Sequence, residues 1–471
     1  MRRIAIIGGG IAGVTAAYEL ARLTKKDVAH VHVCLYEASA RLGGIVETIR
    51  EGGFVIEGGP DGWVSEKPWA RELAVELGLE DELIPSRDEQ RKTWVLVDEQ
   101  LRAMPDGMRM MVPANLAALR DSNLFSEAAL QAFHDEPGRA EDLKAAAPDR
   151  DESVADFVRR HFGEEVLTKI GAPLLSGVFG GDVARLSVRA IMAPFVAMER
   201  ETGSLITALQ ARENSRAKSS IFTTLRNGLG TLIDRMTAAI PQGWIRLGTK
   251  VTALERDSGG WWVSSTSGYG HADRERYDAV MLAAPLSVAG ALLQPIDGYA
   301  AKLMRMEASS SVVVGFGFDD ATQAPVPPGF GVLIPPGTNT KTLLMACTFM
   351  DQKYSHRVPE GGRLLRAFFG GQSAERLMRC GNDEIAAVAR MELAHLLGPL
   401  PEPRVTVVRR LPFSLPQYAV GHLERIAELD ERVKQLGELW LLGNGYRGVG
   451  LPDLIRDARA AAQAQAAHTV Q

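Results

Sequence analysis

The alternation of apolar and polar positions divides the chain into stretches of different period. Ile4-Ala5-Ile6-Ile7 is a short continuous apolar run of the kind a parallel sheet buries on both faces. Apolar residues then recur at helical spacing from Ile11 to Leu23, Lys25-Lys26-Asp27 reads as a polar turn, and Val31 to Tyr36 reads as a second buried strand. Strand, helix, strand in that order predicts the opening unit of a doubly wound sheet. From about 113 to 200 the period is mainly helical, with an amphipathic stretch over Ser153 to Leu167 and an exposed linker at Ala145 to Arg150. From about 300 to 412 the pattern predicts short strands at Ser311–Phe318, Gly331–Pro335, Leu343–Met350 and Arg363–Gly370, several of them separated by proline-rich turns such as Pro325 to Pro328. A helix over Asp383–Leu397, a strand over Val405–Arg410 and a strand-helix ending (Leu439–Leu442, then Pro452 onward) complete the pattern.

One apolar run needs separate treatment. Ala279 to Ile296 carries no charge over 18 residues, the lower limit for a membrane span. Pro285 interrupts it after a β-like stretch, Ala279–Ala284, so it reads as strand, turn and helix.

Composition narrows the class. At about 100–200 residues per domain, 471 residues allow two to four units. A hydrophobic content of 46% supplies a sizeable core, and a net charge of −5 argues against a nucleic-acid partner. Cys34, Cys347 and Cys380 are scattered, without metal-ligand spacing, as in a reducing compartment with no disulfide framework. Met1-Arg2-Arg3 runs directly into a strand-like segment and is not the start of a signal peptide, so a cytoplasmic location is expected.

The candidate chemistry begins at Gly8-Gly9-Gly10-Ile11-Ala12-Gly13, a G-x-G-x-x-G loop between strand and helix. Gly8 permits a tight turn, Gly10 lets backbone approach a pyrophosphate, and Gly13 lets helix and strand pack closely. The helix N-terminus offers unpaired N–H groups to the phosphates. Glu37 ends the next strand, where its carboxylate can accept from a ribose diol. The loop alone fits NAD or FAD. The continuation Glu37-Ala38-Ser39-Ala40-Arg41-Leu42-Gly43-Gly44 favours FAD, because an NAD enzyme has no need of this second element. Arg41 can neutralise a phosphate, and Gly43-Gly44 let backbone run against the cofactor. Glu57-Gly58-Gly59-Pro60-Asp61-Gly62 reads either as a plain turn or as backbone along the isoalloxazine ring; its position after Gly43-Gly44 favours the ring. Near the other end, Gly443 to Asp453 joins a strand to a helix whose N-terminus could stabilise negative charge on reduced flavin.

With these four elements the chain resembles the FAD-dependent amine oxidase superfamily, and within it the oxygen-dependent protoporphyrinogen oxidases and bacterial coproporphyrinogen III oxidases. The likeness runs nearly end to end. Its specific passages are Glu57 to Asp61, Ser153 to Gly163, Pro173 to Asp182, Leu225 to Leu232, Leu415 to His422 and Gly443 to Asp453. The resemblance implies an α/β fold: a discontinuous Rossmann-like FAD-binding domain (1–85, 226–298 and 413–471), an inserted mixed-sheet substrate-binding domain (86–112 and 299–412) and an inserted helical domain (113–225) used for membrane contact. It implies noncovalent FAD held by Gly8, Gly9, Gly10, Ile11, Ala12, Gly13, Glu37, Ala38, Ile45, Gly59, Pro60, Asp61, Gly62, Val251, Val449, Gly450 and Leu451. It implies removal of six hydrogens from a porphyrinogen in successive flavin turnovers, with molecular oxygen as acceptor and hydrogen peroxide as product, in heme biosynthesis. Peripheral contact with the inner face of the cell membrane and a homodimer stay open.

The chain departs from the family's pattern at two places. Leu423 stands where some relatives carry tryptophan, and Thr93 about where some carry a basic residue proposed to hold a propionate. Lys92 is adjacent, but strand alternation points it to the opposite face, so no propionate anchor is assigned. No cysteine follows Cys380, so a covalent flavin link at the chain's end is not expected.

Hydride loss to flavin needs placement more than a strong base, so no catalytic side chain is nominated. His161 and His422 read as structural or exposed, and Arg102 and Arg109 as solvated. Residues 311–318 and 343–350 either wall the macrocycle or form ordinary sheet core. Met108, Met110, Met111, Val112 and Leu116 form either an apolar surface or core. Two other functions compete: an amine oxidase or carotenoid-type desaturase on the same fold, and a redox-inactive flavin-fold binding protein. The intact Glu37/Arg41/Gly43-Gly44 string disfavours the last.

Overall fold

A computed structural model describes residues 2–24, 31–213, 220–336 and 342–467; the expected turn at Lys25-Lys26-Asp27 lies outside them. Five parallel strands form the central sheet in the order Ile245–Arg246, Val31–Tyr36, Arg2–Ile7, Ala279–Leu282, Leu439–Leu441. The apolar run Ile4–Ile7 is paired on both edges, to Val33–Tyr36 and to Ala279–Leu282. Its alternate side chains feed two cores: Ile4 and Ile6 face the helices Ile11–Leu23, Gly230–Ala239 and Leu451–Ala467. Ala5 and Ile7 face the antiparallel strands Thr249–Asp257, Gly260–Ser267 and Ala272–Tyr277 and the helix Leu286–Leu293. The uncharged run from Ala279 is therefore a strand, a proline turn and a helix, as its pattern predicts. Among the described residues no helix is long and apolar enough to cross a membrane.

A second, seven-stranded sheet has the order Val405–Pro416, Ala308–Phe318, Arg363–Phe369, Ala346–Phe349, Gly331–Leu333, Thr93–Val97, Gln100–Ala103. It is mixed, because Gly331–Leu333 runs parallel to Thr93–Val97 while the other pairs are antiparallel. The strand predicted over Val405–Arg410 continues to Pro416, past the boundary expected at 412. Pro412 cannot donate to a ladder, but this is an edge strand, and a bulge opposite Ser309 and Ser311 accommodates Pro412 to Ser414.

A helical layer fills most of 127–213. Met108, Met111 and Val112 are at most 4% exposed inside its core, with Met110 and Leu116 packed against it. This stretch is thus core and not an apolar surface.

Candidate functional site

The glycine loop has the geometry its spacing demands. Gly8 sits at φ +108, and a Cβ there would lie 2.6 Å from the Ala283 carbonyl oxygen. A Cβ on Gly13 would come within 1.9 Å of the Gly8 oxygen, so that glycine serves helix–strand packing. At Gly10 a Cβ would meet nothing within 4 Å, and no side chain caps the helix that starts at Ile11. The helix end is left facing open space. That space is a cavity of about 1200 Å³ lined by Gly8, Gly10, Ile11, Ala12, Glu37, Gly43, Gly44 and Ile45 together with Gly443 and Asn444. Bare backbone, an uncapped helix N-terminus and a carboxylate suit the pyrophosphate and ribose of a dinucleotide.

Other expected site residues have supporting positions. Glu37 accepts from the Gly9 and Ser39 N–H groups, each at 2.7 Å, so its carboxylate also fixes the loop. Arg41, expected at a phosphate, gives its guanidinium to carbonyls: Leu42 and Val46 at 3.1 Å and Gly44 at 2.6 Å. It clamps the Gly43-Gly44 turn. Gly9, Gly13, Ala38, Arg41, Val251, Val449, Gly450 and Leu451 do not line the cavity; Val251 and Leu451 are buried in the cores on either side of the sheet. Neither do Gly59, Pro60, Asp61 and Gly62, whose loop meets the seven-stranded sheet instead.

Residues the sequence did not single out also line the cavity, among them Gly180, Gly181, Pro285, Ser309, Phe413, Gln417 and Arg425. Gly180-Gly181 and Gln417 stand in family-like passages, which was the one signal available for them. Burial lowers the Arg425 guanidinium from its usual value.

The C-terminal loop is tied down by three side chains. The Tyr418 hydroxyl donates to the Asn444 carbonyl at 2.6 Å and accepts from the Gly448 N–H at 3.0 Å. Its ring stacks on His422, centroids 3.8 Å apart, and His422 Nε2 reaches the Tyr446 carbonyl oxygen at 2.8 Å. Burial drives the His422 imidazole down to about 4, so it is neutral near pH 7 and structural, as expected. Lys67 closes on Asp453 at 2.6 Å in the first turn of Leu451–Ala467. Tyr418→Phe is expected to cost about 1–3 kcal/mol by leaving two backbone groups unpaired, read as a lower melting temperature; unchanged melting would show that water replaces the hydroxyl.

The seven-stranded sheet presents two unlike faces. Val312, Val314, Phe316, Phe318, Leu365 and Phe369 join the core beneath the helices Gly371–Leu377 and Asn382–Leu397, so those positions are ordinary sheet core. The opposite face carries a cross-strand row of Thr93, Gly331, Thr348, Arg366 and Gly315, each paired with the next. Lys92 lies over the Trp94 ring on the other face, as alternation predicts. Arg102 donates to the Asn123 carbonyl at 2.6 Å and Arg109 pairs with Glu66; neither points to a ligand.

A glycine-rich loop at the carboxyl end of a parallel sheet, opening an uncapped helix, is the arrangement of a dinucleotide-binding α/β fold, here joined to a second, mixed sheet. Comparison with known proteins agrees: residues 11–464 match the family model for flavin containing amine oxidoreductases, and the chain belongs to that family. It is 31% identical to coproporphyrinogen III oxidase of Bacillus subtilis, over 98% of this chain and 97% of that one. It is 28% identical to coproporphyrinogen III oxidase of Staphylococcus aureus, with 98% of each covered. A crystal structure from Exiguobacterium sp. 255-15, provisionally assigned as a protoporphyrinogen oxidase, superposes with a TM-score of 0.85 at 29% identity, covering 99% of both chains.

Proposed function

We propose that this chain is an FAD-dependent oxidase that converts a porphyrinogen, coproporphyrinogen III before protoporphyrinogen IX, to the porphyrin with molecular oxygen in heme biosynthesis. The observation that carries the reading is the end-to-end likeness to the Bacillus subtilis enzyme. The cavity behind Gly8, Gly10 and Gly44 fits the cofactor, because it offers backbone and an uncapped helix end where a side chain would obstruct. Bound FAD supplies the hydride acceptor and passes electrons to oxygen. This chain's residues bind and orient: Gly8, Gly10, Ile11 and Ala12 face the pyrophosphate and Glu37 the adenosine ribose, all from the wall of the cavity.

The division into a flavin domain (1–85, 226–298, 413–471), a substrate domain (86–112, 299–412) and a helical domain (113–225) belongs to the same proposal. It is supported by the central sheet, whose five strands all fall in the first set.

Purified protein reconstituted with FAD and assayed with both porphyrinogens side by side tests the reading. Faster turnover of coproporphyrinogen III, with hydrogen peroxide released, is expected. Faster turnover of protoporphyrinogen IX would reverse the order of substrates, and a yellow protein inert to both that an amine reduces would overturn the proposal.

A further inference from the structure

In the bulge of the edge strand Val405–Pro416, Pro412 to Ser414 stand opposite Ser310 alone. The middle residue, Phe413, has φ +49, a left-handed backbone that a bulky side chain rarely adopts. Hydrogen bonds on both sides hold it there. Its N–H donates to the Ser310 hydroxyl at 3.0 Å, and the Ser414 hydroxyl donates to the Leu411 carbonyl at 3.1 Å. The Asn444 amide donates to the Ser414 carbonyl at 2.8 Å. The bulge is therefore pinned from the neighbouring strand and from the C-terminal loop at once.

Packing does not repay the strain. Phe413 is 70% exposed and, among the described residues, belongs to none of the apolar cores. What it does reach is the cavity onto which the glycine loop opens, which it lines with Pro412, Ser414, Ser310 and Asn444. At about 1200 Å³ that cavity exceeds the roughly 300–1,000 Å³ of a pocket for one small ligand, so it has room for a second molecule beside the dinucleotide. The glycine loop, Glu37 and Gly43-Gly44 line it from the central sheet, and the bulge lines it from the seven-stranded sheet.

A large side chain held in a costly conformation by its surroundings, and serving no core, points to a role with a ligand. Resting on the porphyrinogen reading above, we infer that Phe413 is a substrate-contact residue: the strained bulge presents its ring to the cavity, where it packs against the pyrroles of the macrocycle. An aromatic face suits that ligand, because it covers apolar pyrrole carbon and attracts pyrrole N–H groups. The ring has no proton to exchange, so its contribution is to binding and orientation.

The test compares Phe413→Gly, Phe413→Ala and Phe413→Tyr with the wild type, each loaded with FAD. Binding of coproporphyrin III, followed by fluorescence quenching, and KM for coproporphyrinogen III are both expected to weaken at least about tenfold in the Gly and Ala variants. Phe413→Tyr, which keeps the ring, is expected to stay within about twofold of the wild type. FAD affinity should be unchanged in all three. Melting reads the strain separately: Phe413→Gly is expected to melt above Phe413→Ala, because glycine adopts left-handed backbone without the cost alanine bears. Unchanged porphyrin binding and KM in Phe413→Gly and Phe413→Ala overturn the inference. So does a fall in FAD affinity with porphyrin binding kept, which would set the ring against the cofactor instead. A Phe413→Gly protein that melts below Phe413→Ala, or failure of both to fold, shows that the ring supports the fold and overturns it as well. A wild type that binds neither coproporphyrin III nor protoporphyrin IX overturns the porphyrinogen reading, and the inference with it.

Discussion

Gly10→Val is expected to purify as a folded, colourless protein. The Gly10 backbone, at φ −69 and ψ 178, is extended and open to any residue. The added side chain meets no protein atom within 4 Å of its Cβ, so apo stability should change by no more than about 0.5 kcal/mol. The added side chain points into the cavity that Gly10 lines, the space proposed for the pyrophosphate. A loss of FAD affinity of at least about a hundredfold is expected, near 3 kcal/mol. The control is Gly13→Val, whose Cβ would overlap the Gly8 oxygen at 1.9 Å and which is expected to misfold. Absorbance at the flavin band and melting of the apo protein read the two effects separately. A Gly10→Val protein that purifies with wild-type flavin content would remove this loop from the cofactor site.

The second large effect lies away from the cofactor. Glu136, fully buried, holds His161 Nδ1 at 2.9 Å, the Ser204 hydroxyl at 2.5 Å and the Leu205 N–H at 2.7 Å. His161 Nε2 is 3.0 Å from Glu199, which Arg160 also meets at 2.7 Å. Glu136→Ala strands a buried imidazolium and two donors and is expected to cost about 3–5 kcal/mol in chemical denaturation. The same network sets a pH window. Burial lowers His161, but Glu136 and Glu199 outweigh it and raise its folded value above 6.5. Its contribution is complete below 6.5 and is lost as pH rises through that raised value. Glu199 is held below 4.5 in the folded chain, so its contribution is complete above 4.5 and is lost as pH falls through its lowered value. The network therefore stabilises most between about 4.5 and 6.5. Wild-type melting temperature should decline more steeply than that of Glu136→Ala as pH rises from 6.5; parallel profiles would show that His161 does not titrate in this range.

The central unit was legible in the sequence because its elements are local. Ile4–Ile7, Ile11–Leu23 and Val31–Tyr36 each declare themselves by period, and the glycines between them by spacing. The role of Arg41 was not legible. Its guanidinium turns back on carbonyls one to five residues away, a preference that a phosphate-binding string does not encode. Arg366 escaped notice for another reason. Its strand carries two arginines, Arg363 and Arg366, with no spacing that marks either, and only the crossing of two distant segments puts Gly59 and Asp61 against Arg366. The buried Glu136–His161–Glu199 set is likewise assembled from three helical segments, so spacing along the chain could not announce it. The methionine stretch at 108–111 was ambiguous because core and exposed apolar surface share a composition, and packing alone separates them.

The parallel sheet has a consequence for synthesis. One of its two edge strands is Leu439–Leu441, whereas the strand leading into the glycine loop is Arg2–Ile7. At a translation rate of about 5–20 residues per second, roughly 20–90 s separate the emergence of those two strands from the ribosome. For that interval the loop exists without the neighbours that close its cavity, Gly443 and Asn444 among them. On the proposed FAD reading, cofactor capture waits for the chain past residue 444, and a nascent chain stalled before residue 439 is expected to hold the glycine motif without bound FAD.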